Sequence, residues 1–333
     1  MKSNNSIISI PDILIGHAQD MDALTGCTVV LCPKGAVGGI DQRGGAPGTR
    51  ESDALHPMHL VEKVHAIVLA GGSAFGLDAA TGVMKYLEEH NIGFETGAGK
   101  VPIVPAAILF DLNIGKKDVR PDAAMGYQAC VNASKGIPQE GNYGAGVGAT
   151  VGKILGLGQA VKSGTGFAAM EIGNGVFVAA LMVVNAFGDV IDPSNGKILA
   201  GARSFHKGPI QLGSTEIFAD TQEIMKTWIG RTTLGFSSHA NTVIGVVMSN
   251  ARLSKEETNK VAQMAQDGIA RCIKPAHTMV DGDTIFAVCT GRRKADVNII
   301  GAFAAEVTSQ AILRSIKMAQ SAGGVPAISE LVT

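Results

Sequence analysis

Short apolar runs of strand length, bounded by glycine, proline or charged residues, constrain the fold of this chain more than any other feature. Residues 28–31, 66–69, 176–184 and 284–288 are such runs, and a fifth follows Thr242. Runs this short favour buried strands, since helices usually need ten or more residues. None reaches the roughly 18 uncharged residues needed to cross a bilayer, so the sequence predicts no membrane contact.

Helical patterns lie between these runs. Apolar residues recur at helical spacing over residues 77–87. Ser254 and Glu257 have the spacing of a helix capping box, and residues 297–319 predict a long, alanine-rich helix. Strands flanked by helices in mixed order favour an α/β (α+β) fold, a four-layer αββα sandwich, with residues 1–333 as one domain.

Two long segments show neither pattern. Residues 35–53 are rich in glycine and charge and predict a long loop, and such loops are often functional in compact domains. Residues 203–240 predict a connector with at most one short helix, over residues 223–228.

The composition excludes several classes of protein. Hydrophobic residues make up 46% and charged residues 17% of the chain, which can therefore bury a large core. A net charge of -1 and 5% aromatic residues indicate no surface for nucleic acid. The five cysteines are odd in number, and the N-terminus lacks a signal-peptide pattern. We therefore expect a cytoplasmic protein with reduced cysteines.

Two glycine-rich segments fail the motifs that they suggest. The run beginning Gly71-Gly72 is no nucleophile elbow, because Phe75 stands where that motif needs glycine. A turn where the backbone approaches a ligand is the better interpretation of Gly71 and Gly72. Residues 148–153 resemble a phosphate loop, but Ile154 replaces the metal-binding hydroxyl residue. Neither segment predicts a nucleotide site.

The histidines predict no metal site. His56 and His59 are the only close pair, and the proline between them disfavours a helix face that carries both. No carboxylate completes a known ligand set. The sequence therefore predicts neither a metal nor another cofactor.

The pair Asn241-Thr242 stands at the head of an apolar run. A hydroxyl residue at the first position of a buried strand is where a self-cleaving enzyme would place its nucleophile. Cleavage would give Thr242 a free α-amine, whose reference pKa of about 7.7–8.0 suits a general base near neutral pH. On position alone, an ordinary β-branched strand residue is the simpler interpretation.

The sequence Asp281-Gly282-Asp283 runs directly into the last of these strands. By itself it is explained most simply as a turn with exposed aspartates. The functional interpretation is a pair of acceptors that hold the amine and the hydroxyl of a nucleophile.

Together these segments resemble a known family. Asn241-Thr242 with its strand, residues 249–254 and residues 275–287 resemble the self-processing N-terminal-nucleophile amidohydrolases. That family includes L-aminopeptidase/D-amidase-esterases, β-peptidyl aminopeptidases and nylon-oligomer endo-hydrolases. The order and spacing of the blocks are specific, and the resemblance covers most of the chain. Further matching blocks are residues 69–77, 144–153 and 178–192.

The resemblance implies a role for each of five residues. Thr242 would be the nucleophile, and Asn185 would direct its amide at the oxyanion. Lys153 would lie beside the nucleophile and lower its proton affinity. Asp281 and Asp283 would hold the amine, the hydroxyl and the lysine in one network. The resemblance also implies the αββα fold.

The resemblance further implies self-cleavage into residues 1–241 (α chain) and 242–333 (β chain), and a homotetramer of αβ units. One departure concerns Phe110, which replaces a tyrosine that assists the oxyanion in many relatives. A second is Val243, where relatives often have a hydroxyl residue. Gly71, Gly72 and Phe110 are expected to shape the substrate pocket.

The predicted activity is hydrolysis of amide bonds in small peptides or amino-acid amides and esters, through an acyl-enzyme on Thr242. The alternatives are an endo-amidase of the nylon-oligomer (6-aminohexanoate) type, an acetyltransferase of the same fold, and a non-catalytic binding protein. The pair Asp281 and Asp283 argues against the acetyltransferase.

Overall fold

The computed structural model describes residues 10–207, 210–212, 217–228, 230 and 241–332. The strands are β1 Leu14–Asp20, β2 Thr25–Gln42, β3 Thr49–Arg50, β4 Lys63–Ala70, β5 Phe94–Thr96, β6 Gly99–Val101, β7 Ala106–Ile108, β8 Thr150–Val151, β9 Val161–Lys162, β10 Thr165–Glu171, β11 Phe177–Asn185, β12 Asp189–Ile191, β13 Ile198–Ala200, β14 Phe205–Lys207, β15 Ile210–Leu212, β16 Thr242–Arg252, β17 Ile273–Lys274 and β18 Thr284–Lys294. The α-helices are α1 Ala79–Glu89, α2 Ala123–Val131, α3 Thr221–Lys226, α4 Lys255–Cys272, α5 Val297–Lys317 and α6 Ile328–Leu331.

The main sheet has nine strands and is divided in two by its long strand β2. Its order is β10-β11-β16-β18-β2-β4-β7-β3, with β1 also paired to β2. The first part of β2 pairs with β1 and β4, and its last part pairs with β18. A register shift between Leu31 and Ala36 interrupts the pairing with β4, which resumes at Ala36 and Val37, and pairing with β18 begins at Val37. β2 therefore belongs to both halves of the sheet.

The alternation of side chains along the strands produces four layers. On β16, Val243 and Val247 pack with residues of α4 and α5, whereas Ile244 and Val246 point the other way. The inward residues of β16 meet inward residues of β4, such as Ile67, in a core between the two halves of the sheet. The outer face of β4 and the first part of β2 pack against α1 and α2. The predicted αββα sandwich is confirmed.

Helix α4 begins at the predicted capping box. The Ser254 hydroxyl accepts a hydrogen bond from the N–H of Glu257 at 3.2 Å, and the Glu257 carboxylate accepts one from the N–H of Ser254 at 2.8 Å. Helices α1 and α2 approach so closely that a Cβ at Gly82 or Gly126 would overlap the backbone of the other helix. Close approach thus explains part of the high glycine content.

Helix α5 is the long helix predicted near the C-terminus, and it ends at Lys317. Among the described residues it is also the one helix with the length and hydropathy of a membrane span. However, 61% of its apolar window is buried inside the molecule, where it packs on β10 and β11.

Three predictions about connecting segments need correction. Within the predicted loop 35–53, residues 35–42 are the end of β2, of which residues 37–42 pair with β18, and Thr49–Arg50 form β3. Glycine in this part of the strand allows Gly39 to lie against the backbone of α4. The helix expected at residues 223–228 is α3, two residues earlier, and β14 and β15 precede it in the connector. Residues 231–240 of that connector lie outside the described residues.

Candidate active site

Three strand ends meet at one edge of the sheet and bring the predicted residues together. β16 begins at Thr242, and Asn185, the last residue of β11, is its register partner. β18 runs parallel to β16 and begins at Thr284, directly after Asp283. Because Asn241 forms a bridge with Asp281, the peptide before Thr242 lies beside the Asp-Gly-Asp turn.

The bond between Asn241 and Thr242 is buried. Asn241 is 3% exposed and Thr242 4% exposed. The Thr242 hydroxyl donates a hydrogen bond to the carbonyl oxygen of Asn241. The same oxygen accepts the N–H of Gly282 at 2.9 Å. The nucleophile candidate is therefore already in contact with the carbonyl group that it would attack.

The two carboxylates hold the residues around Thr242. Asp283 Oδ1 accepts the N–H of Val243 at 2.8 Å, and Asp283 Oδ2 lies 2.9 Å from His277 Nδ1. Asp281 Oδ2 accepts the Thr278 hydroxyl at 2.5 Å and its N–H at 3.0 Å. Both aspartates are buried, so the interpretation as exposed turn residues is wrong. Burial raises the pKa of Asp281, and the negative charge of Asp283 acts in the same direction.

Lys153 and Asn185 form a second group at the site. Lys153 Nζ donates to the backbone oxygen and to Oδ1 of Asn185, both at 2.8 Å. Oδ1 also accepts the N–H of Thr150 at 3.1 Å, and Nδ2 donates to the carbonyl oxygen of Phe110 at 3.0 Å. These contacts fix the orientation of the Asn185 amide. Burial lowers the pKa of Lys153 to about 7, although the charges of Asp281 and Asp111 oppose the shift.

Phe110 contributes to this group through its backbone. It lies beyond the end of β7, and its side chain is half-buried. Its carbonyl oxygen holds Asn185 whatever side chain stands at position 110. The missing tyrosine hydroxyl therefore does not disturb the orientation of the Asn185 amide.

Asp111, which no sequence motif singled out, joins the predicted glycines to the site. Its carboxylate is 5% exposed and accepts the N–H of Gly72 and the hydroxyl of Thr25, each at 2.7 Å. A Cβ at Gly71 would overlap this carboxylate. Burial raises the pKa of Asp111 to about 6 against the effect of these hydrogen bonds. Gly71 and Gly72 thus pack on Asp111, the neighbour of Phe110.

The segment after β2 clamps the Asp-Gly-Asp turn from the other side. The N–H of Ala46 donates to the Asp281 carbonyl at 2.8 Å, and the N–H of Arg43 donates to the Asp283 carbonyl at 3.0 Å.

His277, which no sequence motif singled out, has a left-handed backbone with φ of 59°. The signal that could have identified it is its position six residues before Asp283, with a threonine beside it. Within the described residues, no cluster of three or more His, Cys, Asp or Glu side chains could hold a metal ion.

Comparison with known proteins gives matches along nearly the whole chain. The model of peptidase family S58 matches residues 5–328. An uncharacterised aminopeptidase of Mycobacterium bovis is 40% identical over 354 aligned positions, which cover 98% of this chain and 98% of the relative. A 6-aminohexanoate-oligomer endohydrolase of Kocuria sp. is 31% identical over 320 positions, covering 92% of this chain and 84% of the relative.

Solved structures share the fold. A β-aminopeptidase of Burkholderia sp. superposes with a TM-score of 0.67 at 16% identity, covering 97% of this chain and 91% of the other. The L-aminopeptidase D-Ala-esterase/amidase of Ochrobactrum anthropi, a variant of the Ntn hydrolase fold, superposes with a TM-score of 0.68 at 15% identity. That match covers 95% of this chain and 87% of the other.

Proposed function

The chain belongs to peptidase family S58, and from that premise we propose that Thr242 is its nucleophile and is released by self-cleavage of the Asn241–Thr242 bond. Family membership makes the protein a peptide-bond hydrolase of the aminopeptidase type. The observation that carries the proposal is the buried Thr242 hydroxyl, hydrogen-bonded to the carbonyl oxygen of the peptide to be cleaved.

Self-cleavage would proceed through an ester. Thr242 Oγ loses its proton to a base and bonds to the carbonyl carbon of Asn241. The C–N bond then breaks, and the nitrogen takes up a proton to become the α-amine. Water hydrolyses the ester to an Asn241 carboxylate and a Thr242 hydroxyl. The family resemblance places Lys153 beside the nucleophile, and its amine contacts Asn185, the register partner of Thr242. Because burial lowers its pKa to about 7, Lys153 suits the role of base.

Substrate hydrolysis would use the new α-amine. The amine accepts the proton of Thr242 Oγ as the oxygen attacks the substrate carbonyl carbon, and it then protonates the leaving nitrogen. Asn185 donates to the oxyanion through an amide whose orientation Lys153, Thr150 and Phe110 fix. Water releases the acid from the acyl-enzyme. Asp283 supports the backbone beside the nucleophile.

The two products of self-cleavage, residues 1–241 and 242–333, would remain one folded unit. β16 belongs to the second product and lies between β11 of the first product and β18. It pairs with β11 over the whole stretch from Val178 to Asn185. The products should therefore separate only in denaturant, as two chains of a single domain.

Small peptides and amino-acid amides are the proposed substrates, in line with the aminopeptidase relative. The second candidate is an endo-amidase for 6-aminohexanoate oligomers, favoured by the Kocuria relative that is 31% identical. A hydrolysis screen over L-, D- and β-amino-acid p-nitroanilides and aminohexanoate oligomers distinguishes the two. Acetyl transfer would instead appear as ornithine-dependent transfer from N-acetylornithine. Ligand binding without turnover would leave the chain uncleaved and every substrate of the screen intact.

Assembly and location complete the proposal. We propose a cytoplasmic homotetramer of αβ units, by analogy with the family that the sequence resembles. Light scattering on the purified protein would give the mass of the assembly, with a monomer as the contradicting result. Fractionation of the source cells tests the location.

The decisive experiment is intact mass under denaturing conditions. Wild type is expected to give two chains that correspond to residues 1–241 and 242–333, whereas Thr242→Ala gives one full-length chain without activity. Thr290→Ala, which alters a threonine of β18, is the matched control and should cleave as wild type does. A wild-type protein that stays whole and hydrolyses no N-terminal amide would contradict the proposal.

A further inference from the structure

The carbonyl oxygen of Asn241 accepts two hydrogen bonds among the described residues, and they have different fates during self-cleavage. One donor is the Thr242 hydroxyl, and the other is the N–H of Gly282 at 2.9 Å. The hydroxyl must lose its proton before it attacks, so it cannot donate when negative charge develops on the carbonyl oxygen. The N–H of Gly282 keeps its hydrogen throughout and stays aimed at that oxygen.

Glycine at position 282 is explained by the space around it and not by its backbone conformation. The φ of Gly282 lies outside the left-handed region, so the backbone conformation there does not require glycine. A Cβ at this position would stand 2.7 Å from the carbonyl oxygen of Ala46 and 2.9 Å from Thr242 Oγ. Contacts this short do not occur for real Cβ atoms. Glycine therefore leaves space for the hydroxyl of the nucleophile.

We propose that the backbone N–H of Gly282 is the oxyanion donor for self-cleavage, and that residue 282 is glycine because the attacking hydroxyl needs the adjacent space. This inference rests on the proposed function, since it assigns a donor to the first step of maturation. As Thr242 Oγ bonds to the carbonyl carbon, the electron pair of the C=O bond moves onto the oxygen that faces Gly282. The pair returns when the C–N bond breaks.

The donor is held in place before the reaction starts. The turn that carries it is fixed by the N–H groups of Ala46 and Arg43, which bind the carbonyl groups of Asp281 and Asp283. Gly282 and Asn241 are buried. A fixed dipole in a water-poor site stabilises developing charge better than mobile water does, because it needs no reorganisation.

Replacement of one amide by an ester tests the donor directly. Glycolic acid, incorporated at position 282 by nonsense suppression during cell-free synthesis, deletes the N–H and adds no side chain. Removal of one oxyanion donor typically slows a reaction by about 10²–10³-fold, and we expect a loss of that size in the rate of self-cleavage. The loss should be similar at every pH, because no titrating group is altered.

Glycolic acid at position 141 is the matched control. The N–H of Gly141 donates to the carbonyl oxygen of Thr165 at 2.7 Å, and this buried bond lies outside the described active site. The same ester there should change the rate by less than about threefold. Mass spectrometry separates self-cleavage after residue 241 from hydrolysis of the introduced ester, which would yield a fragment that ends at residue 281.

A conventional variant tests the space. Gly282→Ala keeps the N–H but places a methyl group against Thr242 Oγ, and we expect self-cleavage at least tenfold slower than in wild type. Gly97→Ala is its control, because a Cβ at position 97 would meet no atom within 4 Å. Maturation of Gly282→Ala at the wild-type rate would refute the argument from space.

The outcomes separate this inference from the proposed function. If wild type does not cleave after Asn241, the proposed function itself fails. If wild type cleaves and the ester at position 282 matures within about tenfold of it, self-cleavage stands and Gly282 is not the donor. If the protein with the ester at position 141 self-cleaves equally slowly, the lower rate reflects damage to the fold. In that case the assignment of the donor to Gly282 is also wrong.

Discussion

The depressed pKa of Lys153 predicts a pH-dependent stability that one substitution should remove. An unfolded lysine keeps its proton up to about pH 10.4, whereas burial lowers the pKa of Lys153 in the folded chain to about 7. Between these values the unfolded state binds more protons, so the free energy of unfolding rises with pH. The slope is about 1.4 kcal/mol per pH unit where the folded lysine is fully neutral, and about half of that at pH 7, where it is half protonated. From pH 7 to pH 9 the free energy of unfolding therefore rises by about 2 kcal/mol. This is an upper value, because Lys153 is half-buried and water lowers the free-energy cost of burying its charged amine.

The measurement compares Thr242→Ala with Thr242→Ala/Lys153→Met, since both remain one chain. Urea unfolding at pH 7, 8 and 9 gives the free energy of each. The protein that keeps Lys153 should gain up to about 2 kcal/mol more between pH 7 and pH 9 than the double variant.

Other titrating groups do not obscure this comparison. Burial also lowers the pKa of Lys162 to about 7, but that contribution is present in both proteins and cancels. Asp111 and Asp281, whose raised pKa values are about 6, titrate mainly below this window. Loss of Lys153 raises the pKa of Asp281 further, which lowers the gain of the double variant and so acts in the same direction as the expected difference. Lys260→Met, at an exposed position of α4, is the control and should leave the pH dependence unchanged. Equal pH dependence with and without Lys153 would refute the assignment of a buried, weakly basic amine.

Three further substitutions test the site and its support. Asn185→Ala should fold and self-cleave but hydrolyse an amino-acid p-nitroanilide about 10²–10³-fold more slowly, and a kcat within tenfold of wild type would remove Asn185 from the oxyanion site. His277→Asn should keep most activity, because asparagine tolerates φ of 59° and can donate to the Asp283 carboxylate. His277→Val can do neither and should lower both the activity and the melting temperature. Equal activities and melting temperatures for the two variants would contradict this explanation. Asp189→Ala leaves three buried donors of Thr221 and Ala202 unpaired and should cost about 3 kcal/mol or more in urea unfolding. Asp192→Ala, which removes only solvent-exposed hydrogen bonds, including those to Ser194, should cost less than about 1 kcal/mol.

The fold was predictable where local patterns and packing agree. The predicted elements include the strand after Thr242, the helix that begins at the capping box of Ser254 and the long C-terminal helix. In each of them, the apolar residues visible in the sequence are the ones that pack against a neighbouring layer. The end of β2 was not predictable, because Gly38 and Gly39 weaken the strand pattern that β18 imposes by pairing. Glycine there serves the close approach of α4, which a single sequence does not reveal.

The residues of the candidate site could be selected from the sequence, but the contacts between them could not. Thr242, Asn185, Lys153 and the two aspartates each suggested a function through residue type and family resemblance, and the fold brings them to one edge of the sheet. Backbone groups carry no sequence signal. The Phe110 carbonyl that holds Asn185 and the Gly282 N–H at the Asn241 carbonyl therefore became visible only in the structure.

The buried state of Asn241 also explains why cleavage should open the site. Its side chain is 3% exposed, and its Oδ1 has no hydrogen-bond partner within the described residues. An unsatisfied buried acceptor costs about 1–3 kcal/mol, and cleavage would add a charged carboxylate to the same residue. Hydration would stabilise both the Oδ1 atom and the new carboxylate. Thr242, in contrast, stays fixed because β16 is paired on both sides, with β11 and with β18. The step that frees the α-amine would thus also drive the old chain end out of the position that a substrate acyl group must occupy.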